Sequence, residues 1–165
     1  MNLRELTAND AHAIHRIYSG ASVRHLGRTA MEDAEAHRYV EQAVCWAQER
    51  PGVHHILGID VEGDLVGTVK LNTAAARAGL SYILREDTWG HGYATAAVIG
   101  VLALAFDALH LDSVAAKHRT ANPASGRVLA KTGFTRIGET EDFAYYLVTN
   151  RACLTMNPSS ASLCG

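Results

Sequence analysis

The chain has 165 residues, 48% of them hydrophobic and 19% charged, with a formal net charge of −2. That length suits one domain with a sizeable core, and the composition is that of a globular protein rather than a disordered or fibrous one. Without any long block of lysine or arginine, nucleic acid is excluded as the expected partner, because phosphate binding is largely electrostatic.

Leu3–Leu6 reads as a short strand. Thr7, Asn9 and Asp10 are N-cap candidates for a helix that carries Ile14, Ile17 and Tyr18. Gly20–Gly27 is a break. Thr29 and Glu32 match a capping box at the start of a helix from Ala30 to Glu49, with Val40, Val44 and Ala47 on one face. Pro51 and Gly52 stop it. VHHILGID and LVGTVKL read as two strands joined by a hairpin turn at Glu62, Gly63 and Asp64. A strand at Gly79–Arg85 leads into TWGHGYATAA, residues 88–97, and a helix to about Leu109. Ser113–Lys117 reads as a short buried strand. Asn122 and Pro123 open another helix, with proline favoured at its first position, and Gly133 ends it. Thr135–Glu139 and Phe143–Thr149 complete a domain of residues 1–150. Residues 151–165 are small, polar and aperiodic, and predict a poorly ordered tail. The order of elements predicts a single mixed α/β or α+β domain.

Cys45, Cys153 and Cys164 form an odd, scattered set rather than a disulfide framework, which predicts a reducing cytoplasmic setting. Mid-helix, Cys45 reads as a small core residue. The opening residues MNLRELTAND lack the apolar segment of a secretion signal. The apolar run Ala94–Leu109 is broken by Gly100 and Asp107 and is too short to span a bilayer, so no membrane partner is expected. His54 and His55 alternate across a strand and cannot chelate one ion, and no metal is expected.

The chemistry concentrates in the stretch from Trp89 to Thr95. Gly90 and Gly92 loosen the backbone just before a helix, whose N-terminus offers free N–H groups and a partial positive charge. A strand, glycine loop and helix in that order suit an anion such as a pyrophosphate. No Gly-Lys-Ser/Thr follows and no third glycine completes a dinucleotide fingerprint, so a plain tight turn is the competing reading.

A second block, NPASGRVLAKTGF at residues 122–134, begins about 25 residues after WGHGYATAA ends. Together the two blocks resemble the GNAT superfamily of acetyl-CoA-dependent N-acetyltransferases. The resemblance is greatest to the RimJ/RimL-like branch that acetylates ribosomal-protein N-termini. It implies a GNAT-like domain with a mixed, mostly antiparallel central sheet flanked by helices. It implies acetyl-CoA as co-substrate and an amine acceptor, either a protein N-terminus or a small molecule; a homodimer is left open. By resemblance, the backbone of Trp89, Gly90, His91, Gly92, Tyr93, Ala94 and Thr95 would bind the CoA pyrophosphate. The strand end at Tyr82, Ile83 and Leu84 would pair with the pantetheine arm, and an N–H near Ile83 or Leu84 would meet the oxyanion. Asn122 would hydrogen-bond the pantetheine, or serve as a helix cap. Ser125 would protonate the departing thiolate, or sit as an ordinary first-turn residue. Lys131 would touch the 3′-phosphate, or complement the helix dipole. His91 is otherwise a solvated loop histidine. Arg24, His25 and Arg28, within Ser22–Met31, would flank the acceptor. One of Tyr145 and Tyr146 would face the cleft.

Related enzymes often carry a glutamate base near the position of Gly79, which has no acid here. Glu139, Glu141, Asp142 or water are the remaining candidates, and a non-catalytic acyl-CoA-binding domain is the alternative function. Without a base the acceptor must be an amine of low pKa, which loses its proton easily. Deprotonating a lysine at pH 7 costs about 4.6 kcal/mol, against about 1.4 kcal/mol for an α-amine.

Overall fold

The computed structural model describes residues 1–150. The predicted tail, with Cys153 and Cys164, lies outside the described residues. In chain order the elements are β1 (Asn2–Glu5), α1 (Ala11–Ile17), α2 (Asp33–Gln48), β2 (His54–Val61), β3 (Asp64–Asn72) and β4 (Ala78–Leu84). They continue with α3 (Tyr93–Ala103), β5 (Ser113–Arg119), α4 (Pro123–Lys131), β6 (Thr135–Glu139) and β7 (Phe143–Thr149). One seven-stranded sheet runs in the order β1-β2-β3-β4-β5-β7-β6. Only β4 and β5 are parallel; the other neighbours are antiparallel. The expected hairpin is present, and Glu62 and Gly63 both have positive φ, as a two-residue turn matched to strand twist requires.

Each sheet face carries its own core. Ala97, Val98 and Val101 of α3 and Leu129 of α4 pack on one face, over Val69, Leu71, Leu80 and Val114. Ile14 and Ile17 of α1 and Ala36, Val40 and Ala43 of α2 pack on the other, around Leu65 and Ile83. The helix α3 continues into one wide turn, Leu104–Ala108, and closes at Leu109. No helix among the described residues is long and apolar enough to cross a membrane.

Three local expectations are corrected. The capping box at Thr29 and Glu32 does not form: α2 starts at Asp33, and Glu32 is its N-cap without a side-chain bond. The reason is tertiary. Met31 is drawn into the second core, 3% exposed, and its N–H donates to the Tyr18 carbonyl at 2.8 Å, so the chain stays extended there. A box forms instead at the earlier turn, where the Asp10 carboxylate accepts from Thr7 N–H at 2.7 Å and from its hydroxyl at 3.1 Å. Arg4 clamps the same carboxylate with two bonds of 2.8 Å and holds its pKa below the usual range. On α2, Ala36, Val40 and Ala43 form the buried line, while Val44 and Ala47 are only half-buried. Cys45 is exposed rather than a core residue.

The site is positioned by a splay in the sheet. Strands β4 and β5 pair only at Ala78–Val114, Gly79–Ala115 and Leu80–Ala116. Arg85 N–H donates to the Val66 carbonyl, so in this antiparallel register residues 81 and 83 also turn their backbone groups to β3. Tyr82 and Leu84 therefore turn theirs toward β5, where the pairing has ended. Close packing of β3 on β4 holds this arrangement. A Cβ on Gly67 would fall 2.5 Å from the Ile83 carbonyl oxygen. Gly67→Ala is expected to destabilise the protein by about 1–3 kcal/mol, through overpacking. Urea unfolding checks this, and an unchanged midpoint would mean that β3 and β4 can part at no cost.

Candidate active site

The splay opens into a cleft of about 1120 Å³. Its walls are β4, β5, the loop before α3, the first two turns of α4 and the segment around His25. The loop is shaped by its glycines. Gly90 and Gly92 both have φ of 81°, a left-handed conformation that L side chains resist. A Cβ on either would meet no atom within 4 Å, so both face open space. Gly92 caps α3 without any side-chain bond, and the first helical bond runs from Ala96 N–H to its carbonyl. The N–H groups of Tyr93, Ala94 and Thr95 thus lack helical acceptors and suit an anion.

Two side chains tie this loop down. The Trp89 indole N–H donates to the Leu84 carbonyl at 3.1 Å, which leaves the Leu84 N–H facing the splay. His91 Nδ1 donates toward the carbonyls of Thr88 at 3.2 Å and Trp89 at 3.0 Å, and its ring stacks on Tyr93 at 5.6 Å. His91 is therefore a brace within the loop; of the seven loop residues predicted, it alone does not line the cleft.

Where the splay narrows, β4 and α4 meet. The Tyr82 hydroxyl lies 2.7 Å from Ser125 Oγ and also donates to the Ser125 carbonyl at 3.2 Å. Burial pushes the Tyr82 phenol up to about 12. The two hydroxyls are consequently proton donors throughout the physiological range. Asn122 caps α4, its Oδ1 accepting from Ser125 N–H at 3.3 Å, and its amide nitrogen stays available to the cleft. Among the described residues, every Asp, Glu, Lys or Arg that lines the cleft is a cation: Lys117, Arg119, Arg127 and Lys131. Such a wall fits a phosphate-rich coenzyme. Sequence reasoning missed three of these. Arg127 carried a usable signal, four residues before Lys131 on one helix face.

Several predicted residues lie elsewhere. Ser22, His25 and Leu26 line the cleft, but Arg28 is tied to Glu35 by bonds of 2.7 and 2.8 Å and Arg24 is exposed outside the lining. Tyr145 faces the cleft, while Tyr146 is buried against His118 at 3.3 Å. Glu139 pairs with Arg136, and Asp142 lies 4.0 Å from Arg119; neither they nor Glu141 line the cleft. No group of three or more His, Cys, Asp or Glu among the described residues is arranged to hold a metal ion.

A family model described as the acetyltransferase (GNAT) domain matches residues 1–135. The chain belongs to this GNAT acetyltransferase family. It is 30% identical over 148 residues to the uncharacterized N-acetyltransferase YoaA of Bacillus subtilis strain 168, covering 87% of this chain and 84% of that one. Mycobacterium smegmatis RimJ, solved in complex with CoA-disulfide, matches with a TM-score of 0.73 at 25% identity, over 91% of this chain and 82% of that one. The spermidine N-acetyltransferase of Vibrio cholerae, solved with CoA and spermine, matches with a TM-score of 0.76 at 17% identity, over 90% and 94%. The chain described here is thus a GNAT-family N-acetyltransferase.

Gly92→Glu places a side chain and a carboxylate in the open space before α3. It is expected to weaken acetyl-CoA binding by about tenfold or more, the loss of one charge-assisted hydrogen bond or two. Calorimetric titration of wild type and variant measures this; equal affinities would remove the loop from the binding site.

Proposed function

We propose that this N-acetyltransferase passes the acetyl group of acetyl-CoA directly to a neutral amine of low pKa. The foremost candidate is the α-amino group of a peptide or protein N-terminus, and a small-molecule amine of the same kind also fits. The observation that carries this reading is the half-buried Tyr82–Ser125 pair at the narrow end of the cleft. The amine nitrogen bonds to the thioester carbonyl carbon and releases its surplus proton to water, the carbon–sulfur bond breaks, and the departing sulfur takes a proton from Ser125, which regains one through Tyr82 from solvent. The Leu84 N–H supports the carbonyl oxygen as it gains charge.

The remaining residues act on the coenzyme. The N–H groups of Tyr93, Ala94 and Thr95, with the open backbone of Gly90 and Gly92, hold the pyrophosphate. The backbone of Tyr82, turned toward the gap, takes the pantetheine arm as an added strand, helped by the Asn122 amide. Lys131 and Arg127 meet the 3′-phosphate. RimJ, solved with a CoA-derived ligand, supports the coenzyme side of this reading. The cationic wall argues against a polycation such as the spermine found with the Vibrio cholerae enzyme.

Proton traffic on the nitrogen side decides the acceptor. Gly79 stands where related enzymes often hold a glutamate, so the amine must arrive neutral. A peptide with a free N-terminus is expected to be acetylated at least about tenfold faster than its N-blocked, lysine-containing twin, from their different costs of deprotonation. Faster lysine acetylation would sink the assignment. The pH dependence follows with a definite sign. Log kcat/KM rises with unit slope while the acceptor ammonium loses its proton, and levels off near pH 8. It then stays flat to about pH 10, because the Tyr82 phenol titrates only near 12. An additional rising limb at lower pH would reveal an enzymic base.

A further inference from the structure

We infer that the acceptor carries a carboxylate close to its amine, and that Lys117 and Arg119 hold it. This deepens the proposed function and rests on it. Strand alternation separates the two faces of β5. His118 points to α4, where a Cβ on Gly126 would fall 2.7 Å from its Nε2. Lys117 and Arg119 flank it and point to the opposite face, away from the helix that carries Arg127 and Lys131. Their cross-strand partners on β7 are Tyr145 and Phe143.

Both cations converge on one ring. Lys117 Nζ lies 4.6 Å and Arg119 Cζ 5.0 Å from the centroid of Phe143. Arg119 also reaches the segment beside His25 and Leu26, since a Cβ on Gly27 would fall 2.6 Å from its Nη2. Both positive groups thus line the cleft beside Phe143, the Arg119 side chain 35% exposed. Asp142, paired with Arg119 among the described residues, is 4.0 Å away and 73% exposed, and so only weakly compensates it. A ligand carboxylate beside that ring offsets the positive charge there and gains charge-assisted partners. The carboxylate has two possible sources, an acidic side chain near a peptide N-terminus or the carboxylate of a free amino acid.

The test measures kcat/KM for matched peptides with a free N-terminal alanine and aspartate, asparagine or lysine in second place, and for free alanine against alanine amide. Wild type is expected to favour the acidic member of at least one set by about tenfold or more, and the set that responds identifies the source. Lys117→Gln and Arg119→Gln are expected to collapse that ratio toward unity. Lys117→Arg and Arg119→Lys, which keep the charge, are expected to retain most of it, which separates recognition from misfolding. A wild type blind to charge, one that prefers the lysine peptide, or glutamine variants that keep the ratio would each overturn the inference alone. Failure to acetylate any α-amine would overturn the proposed function and the inference with it.

Discussion

A parallel strand pair that lasts only three residues leaves backbone N–H and C=O groups without partners on both strands. Each strand is anchored on its other side, β4 along β3 and β5 along β7, so neither can swing across to close the gap. Ion pairs fix the end of β4 further: Arg85 binds Asp64 at 2.7 Å and Asp87 at 2.6 Å, and Trp89 takes the Leu84 carbonyl. The Tyr82–Ser125 contact then ties the open end of β4 to α4. The gap is a stable feature of the sheet, with polar backbone edges and a half-buried pair of hydroxyls at its base.

Strand alternation divides the charges around that gap. On β5 the even residue His118 meets α4, while the odd residue Arg119 meets the segment around Gly27 and Lys117 lies over the Phe143 ring. One strand therefore serves both sides of the cleft. Arg127 and Lys131, four residues apart, make the α4 side of the cleft positive. The side proposed for the acceptor is positive through other residues, Lys117 and Arg119.

The two glycines of the loop were legible because the backbone itself demands them at φ of 81°. Asn122 and Pro123 were legible for a similar local reason, a cap followed by a residue that tolerates the first helical position. Strand and helix order followed from periodicity and turn chemistry. Thr29 and Glu32 failed because burial of Met31 outweighed a local match, and Cys45 failed because α2 buries a neighbouring face. What the sequence could not give was contact across distance. Tyr82 and Ser125 are 43 residues apart. The shared ring of Lys117, Arg119 and Phe143 depends on the β5–β7 register, which no local pattern encodes.

The proton balance and the charge balance of the cleft bear on each other. A site with only donors at its narrow end can protonate a leaving sulfur but cannot take a proton from an ammonium. Nearby positive charge disfavours the ammonium form and lowers the pKa of an amine seated beside it. In the proposed reading Lys117 and Arg119 do two things to an acceptor that carries a carboxylate. They would attract its anionic group and destabilise its cationic one, which would raise the fraction of neutral, nucleophilic amine. Each unit by which the amine pKa falls removes about 1.36 kcal/mol from the cost of deprotonation. A positive field at the acceptor side can in this way stand in for the carboxylate base that Gly79 does not supply, and it does so only for amines whose own negative charge brings them there.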